Sequence, residues 1–213
     1  DGADGHEASL RRIRLQSGLK PVSSEDTYAF LPDGNPMEQT TLLTEEEMRR
    51  ALERLAYQVL ERHGDCAGLV LVGIQRRGAD IASRLGRIIA DRLGCALPSG
   101  ALDINLYRDD WTTLAAKPAI GPSDIPVDLD GRDVLLVDDV LFTGRTIRAA
   151  LEALLDYGRP RRVELLVLVD RGHRELPIHA DYVGRAVNTG RNEQVDVLLR
   201  ERDGRDGVLL SAH

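Results

Sequence analysis

The residues best suited to do chemistry lie in one stretch, VLLVDDVLFTGRT, from Val134 to Thr146. An apolar run ends in two adjacent carboxylates, Asp138 and Asp139. A short loop follows, Thr143-Gly144-Arg145-Thr146, and then a helical pattern. Carboxylates repel phosphate, whereas a helix N-terminus attracts it through unsatisfied N–H groups and about half a positive charge. Gly144 lets backbone approach closely, and Thr143 and Thr146 add hydroxyl donors, so the loop reads as a cup for a dianionic phosphate. The two acids cannot face that phosphate, but they can accept hydrogen bonds from vicinal hydroxyls nearby. A ribose carrying a 5′-phosphate presents that arrangement.

The elements that must hold this stretch are legible around it. TEEE at Thr44–Glu47 is a capping box, and Met48, Ala51, Leu52, Leu55, Val59 and Leu60 follow at helical spacing. GLVLVGI (68–74) is an apolar run of strand length, and Ile81, Leu85, Ile88, Ile89 and Leu93 mark a second helix face. ALDINLY (101–107) alternates like a strand, RDVLLVDD (132–139) and RVELLVLV (162–169) read as buried strands, and 146–157 reads as a helix closed by Gly158 and Pro160. Apolar strands alternating with amphipathic helices predict an α/β fold with a mainly parallel twisted sheet. Ligands in such sheets bind at the carboxyl ends of the strands. A second strand-to-helix junction, GIQRRGADIA (73–82), sets Arg76, Arg77 and Gly78 at such an end and supplies a second anion cup, suited to pyrophosphate. After Val169 the pieces shorten to YVGRAVN, VDVLLRER and GVLLS, expected to form a small β hood over the strand ends.

The chain of 213 residues suits one well-buried domain with an extension. Residues 41–213 form that domain by pattern. Residues 1–40, rich in Gly, Asp, Ser, Pro and Arg, read as a mobile or loosely docked arm in which SLRRIRLQSGLKP could make a short basic amphipathic turn. The first residue is not Met, so processing or truncation of this region is expected. With 28 basic against 35 acidic residues the net charge is −7, so nucleic-acid contact would need a local patch. Cys66 and Cys95 lack metal or disulfide spacing, and the five histidines show no ligand spacing. No apolar run approaches the roughly 18 residues of a membrane span, and no signal segment opens the chain. A cytoplasmic protein is the expectation.

The stretch of two acids followed by T-G-R-T resembles the phosphoribosyl-pyrophosphate (PRPP) signature of type I phosphoribosyltransferases; a Walker A loop is excluded, because no GxxxxGK[ST] occurs. Together with GIQRRGADIA, LDINLYRDD (102–110), DVLFTGRTIRAALEALLDYGRP and VDRGHRELPIHADYVGR (169–185), it resembles the pyrimidine operon attenuation protein/uracil phosphoribosyltransferase family from about Leu43 to Val208. That resemblance implies transfer of phosphoribose from PRPP to uracil, giving UMP and pyrophosphate, with Mg²⁺ held mainly by substrate oxygens and water. It assigns pyrophosphate to Arg76, Arg77 and Gly78. Ribose hydroxyls fall to Asp138 and Asp139, the 5′-phosphate to Thr143, Gly144, Arg145 and Thr146, and the base to Val169, Asp170 and Arg171. Arg108, at the start of a loop that closes over the reaction centre, would act on pyrophosphate when substrate is bound. Purine members carry an acid just before the threonine; here Phe142 stands there and points to a smaller ring. No side chain reads as a dedicated general base.

The same resemblance implies a second partner: a hairpin in pyrimidine-operon leader RNA, bound under uridine-nucleotide (UMP/UTP) control by Arg62, Arg174 and Arg185. Glu53 stands where a hydroxyl residue is usual, Tyr57 where His is usual and His179 where Arg is usual; an added carboxylate and a lost cation disfavour RNA. Two readings follow: a uracil-salvage enzyme with or without regulation, or an RNA-binding regulator that keeps the nucleotide site as a sensor with little turnover. A homodimer or higher oligomer is implied by the family alone.

Overall fold

In the computed structural model the described residues are 29–30, 36–37, 39–109 and 123–212. Contacts divide the chain into two units, 1–39 and 40–213. In the first, β1 (Ala29–Phe30) and β2 (Pro36–Met37) pair antiparallel; the SLRRIRLQSGLKP segment lies outside the described residues.

The second unit is built on a five-stranded, all-parallel sheet in the order β5-β4-β6-β7-β8: β4 (Leu69–Ile74), β5 (Ser99–Leu102), β6 (Asp133–Leu141), β7 (Arg162–Asp170) and β8 (Tyr182–Ala186). The alternation of each strand sends its residues to two cores. Leu69, Leu71, Leu135, Val137, Leu166 and Leu168 meet α1 (Glu45–His63) and α2 (Arg77–Leu93) on one face. Val70, Val72, Val134, Leu136, Leu165 and Val167 meet α3 (Arg145–Leu154) on the other. Each fully buried aliphatic side chain contributes roughly 1.5–3 kcal/mol, which is why the strands read as near-continuous apolar runs. The capping box at α1 is formed: Thr44 Oγ1 accepts from Glu47 N–H (3.3 Å), and Glu47 Oε2 accepts from Thr44 N–H (2.9 Å).

Three expectations change. YVGRA is β8, an edge strand of the main sheet and no part of a hood. The small sheet is instead β3-β10-β9, with β9 (Glu193–Leu198) and β10 (Gly207–Ala212) antiparallel and β3 (Gln39–Leu43) on the other edge; QTTLL alternates too weakly to announce a strand. The strand expected over 101–107 stops at Leu102, because the Asp103 carboxylate accepts from Asn105 N–H (2.8 Å) in an Asx turn that leads into a 3₁₀ turn at Asn105–Tyr107. Among the described residues no helix is long and apolar enough to cross a membrane.

Candidate active site

The crevice opens where β6 outlasts β4. The β4–β6 pairing ends at Gly73↔Val137, but β6 continues beside β7 as far as Leu141↔Asp170. Asp138 and Asp139 are therefore the first residues of β6 with no β4 partner. Asp138 is buried and its Oδ1 accepts from Asp139 N–H (3.0 Å); Asp139 is half-buried and its Oδ1 accepts from Val140 N–H (2.9 Å). Burial, and then the Asp139 charge, push the Asp138 carboxyl well above the usual carboxylate range.

From Leu141 the chain turns through Phe142–Gly144 into α3. Gly144 takes φ +91°, a conformation that favours glycine, and a Cβ there would meet the Ile178 side chain at 3.3 Å. Thr143 Oγ1 accepts from Arg145 N–H at 3.4 Å, and Thr143 and Thr146 stay half-exposed at the helix start. The β7–β8 connection wraps the loop, with Glu175 N–H and Leu176 N–H donating to Thr143 O (2.9 and 3.2 Å).

The second junction sits one strand over. β4 ends at Ile74, the Gln75–Arg76 peptide is cis, and α2 starts at Arg77. Its first turn packs on β6: a Cβ on Gly78 would lie 2.4 Å from Val137 O and 3.3 Å from Asp138 Oδ1. Two helix N-termini thus flank the paired acids on adjacent strands, about 4.8 Å apart. Arg76 is exposed at the turn. The Arg77 guanidinium is committed elsewhere, its Nε donating to Val197 O (2.6 Å) and its Nη2 to the Asp203 carboxylate (3.1 and 3.2 Å), so Arg77 presents its backbone to the crevice and its charge to the small sheet.

At the end of β7, Val169 is buried and Asp170 half-buried. Burial pushes the Asp170 carboxyl up, but the Arg174 guanidinium (2.5 Å) and Gly172 N–H (2.9 Å) outweigh it and hold the group below its ordinary value. Arg171 is 6% exposed, and its guanidinium lies over the Phe142 ring at 4.1 Å. Its Nη2 donates to Gly190 O (3.0 Å), while its buried Nε has no partner. His173, with φ +58°, meets Phe142 edge-on at 5.9 Å and donates from Nε2 to Thr189 O (2.7 Å); Thr189 Oγ1 is likewise buried without a partner. Sequence reading singled out Phe142 for what it is not. That it carries Arg171 depends on a contact across 29 positions, with no local signal.

The other arginines are placed as follows. Arg145 spans Asp109 (2.5 Å) and Glu175 (2.9 Å), so its guanidinium is engaged by carboxylates while its backbone stays in the Thr143–Thr146 turn. Arg108 is half-buried beside Asp109, and residues 110–122, on which the expected closing loop falls, lie outside the described residues. Arg174 faces inward: it donates to Ile178 O, Phe142 O, Gly172 O and the Asp170 carboxylate, binding the β7–β8 connection to the phosphate loop. Arg62 pairs with Glu164 (3.0 Å) and Asp181 (3.4 Å). Arg185 is exposed on β8. On α1, Glu53 takes Arg49 (2.5 Å), and Tyr57 is 48% exposed with Arg92 over its ring at 5.0 Å.

Comparison with known proteins agrees with this geometry. Residues 38–198 match the phosphoribosyl transferase domain; the chain belongs to that family, and its fold is that of a type I phosphoribosyltransferase, a pentosyltransferase. Among its relatives, the Bifunctional protein PyrR of Thermus aquaticus is 55% identical over 169 residues, 79% of this chain and 93% of that one. The Bifunctional protein PyrR of Syntrophobacter fumaroxidans is 54% identical over 164 residues, 77% of this chain and 88% of that one. In fold it is similar to a hypoxanthine phosphoribosyltransferase of Staphylococcus aureus, with a TM-score of 0.60 at 23% identity over 92% of this chain and 98% of that one.

Proposed function

We propose that this chain transfers phosphoribose from PRPP to uracil, forming UMP and pyrophosphate, with residues 41–213 as the catalytic unit. The observation that carries the reading is the pair of helix N-termini on adjacent strands with Asp138 and Asp139 between them, beside a β7 end closed by Phe142 and Arg171. The 5′-phosphate lies in the Thr143–Thr146 cup, held by backbone N–H groups and the two hydroxyls. The ribose hydroxyls donate to Asp138 and Asp139, and pyrophosphate lies at Arg76–Gly78, with Arg108 closing on it. The base sits against Val169, Asp170 and Arg171. Phe142 offers no carboxylate to a purine N7, which favours a smaller ring, and it carries the Arg171 guanidinium at the β7 end.

Departure of pyrophosphate leaves positive charge on the ribose ring, so the chain's task is to hold the leaving group and exclude water. The donor set fits Mg²⁺ arriving on PRPP oxygens: two adjacent carboxylates, one of them raised by burial and its neighbour's charge, which a nearby cation would relieve. When bound, Mg²⁺ neutralises charge on the pyrophosphate oxygens. Asp138 and Asp139 are the side chains that would face it.

The relatives' name supports a second role, uridine-nucleotide-dependent binding of pyrimidine-operon leader RNA. Arg185 is exposed, as is Arg62, whose guanidinium is paired with Glu164 and Asp181. Arg62 and Arg174 reach RNA only if they give up the carboxylates and carbonyls that now hold them, which makes this role the weaker of the two. The reading is tested by supplying uracil, PRPP and Mg²⁺ and following UMP, alongside leader-hairpin binding with and without UMP at two salt concentrations. UMP formation without binding leaves the enzyme alone; binding without turnover makes the chain a sensor and contradicts the first role.

A further inference from the structure

Beyond the crevice itself, the C-terminal segment is fastened to the start of α2 through a row of charged side chains. The short helix α4 (Arg200–Asp203) lies between β9 and β10. From it, Arg202 donates to the carbonyl of Arg76 (3.4 Å) and pairs with Asp80 in the first turn of α2. The Asp203 carboxylate accepts from both Arg77 Nη2 (3.1 and 3.2 Å) and Leu199 N–H (2.8 Å), so one group ties the start of α4 and fixes Arg77. A turn further on, Arg84 pairs with Glu201 and Asp206 (2.7 Å). Residues 77, 80 and 84 follow helical spacing, and all three are bound by the segment 197–206.

On its other side Gly78 presses on Val137 O and on Asp138, a packing contact in which glycine contributes no side chain of its own. We propose that α4 is a brace for the pyrophosphate-binding junction, with Arg202 and Asp203 as positioning residues that fix the direction of the N–H groups at Arg77 and Gly78. The inference rests on reading that junction as the pyrophosphate side. It explains why the Arg77 guanidinium, at an anion site, is tethered outward: the tether sets the backbone, and the backbone meets the anion. The base end lies on β7 and the β8–β9 loop, away from α4, so loosening the brace acts on one substrate and spares the other.

The test is steady-state kinetics and pyrophosphate inhibition of Arg202→Gln, Arg202→Lys and Asp203→Asn, with thermal unfolding of each and Arg76→Ala as a companion. Arg202→Gln and Asp203→Asn should raise KM for PRPP and the pyrophosphate inhibition constant together by about five- to tenfold, as loss of charge-assisted hydrogen bonds implies. KM for uracil at saturating PRPP should hold, and Arg202→Lys, which keeps the charge facing Asp80, should recover most of the effect. A fall in KM for PRPP would overturn the brace, since Asp203 would then be competing with the anion for Arg77. Equal loss toward both substrates in step with thermal stability would also overturn it. If Arg76→Ala weakens PRPP while the brace variants do not, the brace fails and the junction reading stands; if none of them affects PRPP or pyrophosphate, both fail.

Discussion

Gly78 and Asp138 are in direct contact: the Cβ that glycine lacks would lie 3.3 Å from the Asp138 carboxylate and 2.4 Å from the carbonyl that precedes it. The closeness brings two strand-to-helix junctions, separated by some sixty positions in the chain, to either side of one carboxylate pair. Gly78→Ala must force the first turn of α2 off β6. Overpacking of this kind costs about 1–3 kcal/mol, measurable by urea denaturation. KM for PRPP should rise with it, because the N–H groups that meet pyrophosphate move.

Asp138 makes an opposite prediction about stability. Its folded-state pKa is raised by burial and by Asp139, so its contribution is present below the ordinary carboxylate range and is lost as pH rises through the raised value. Asp138→Asn keeps an oxygen for Asp139 N–H and removes the buried charge. The variant should be more stable than the parent at neutral pH, with the difference vanishing in acid. The Asp138→Asn/Asp139→Asn double variant should retain the fold and lose at least roughly tenfold in kcat/KM for PRPP, the effect of one lost charged hydrogen bond. Unchanged activity would remove both acids from the ribose site.

At the far end of the sheet, Glu164 is buried with His63 (2.8 Å), Tyr182 (2.9 Å) and Arg62 (3.0 Å) around it. Burial pushes its carboxyl up, but the His63 and Tyr182 hydrogen bonds outweigh it and leave the pKa lowered. The stabilisation therefore holds above the ordinary carboxylate range and disappears as pH falls through the lowered value. Glu164→Gln should flatten the acid limb of the stability–pH curve. Activity at neutral pH should persist in folded protein, because the network lies about six residues, roughly 20 Å, from the β7 end that holds the base.

The stack of Arg171 on Phe142 predicts a split between substrates. Arg171→Lys loses the planar face and the donor to Gly190 O. Loss of a desolvated cation–π contact is worth up to about 2 kcal/mol, so KM for uracil should rise by an order of magnitude while KM for PRPP changes less. Comparable changes in both constants would place Arg171 outside the base site.

For RNA, Glu53→Ser removes a carboxylate from the α1 face and takes away one of the two acids on Arg49, leaving Glu46 (2.7 Å) as its partner. Leader-hairpin binding at low salt should tighten, with the salt slope steepening by about one unit for each phosphate gained. Uracil turnover should be unaffected. No change in binding would place the RNA surface away from α1.

Much of this was legible in the sequence. Strong apolar periodicity announced β4, β6, β7, α1 and α2, and the acid pair with T-G-R-T announced a phosphate cup, because these signals are local. What the sequence could not disclose depends on distant partners. Arg77, Arg145 and Arg174 looked like charges available to phosphate or RNA. Asp203, Glu175 and the Phe142 carbonyl, from 30 to 126 positions away, hold them instead. YVGRA looked like a hood piece because five residues cannot tell an edge strand from a satellite hairpin, and β3 was too short and too polar to stand out.

The most direct measurement of the central claim is product formation from PRPP with Mg²⁺ and equimolar uracil and hypoxanthine, followed by separation of the nucleotides. The account predicts UMP and pyrophosphate in equal amounts and no purine nucleotide. Inosine monophosphate as the main product, or no nucleotide from either base, would contradict it.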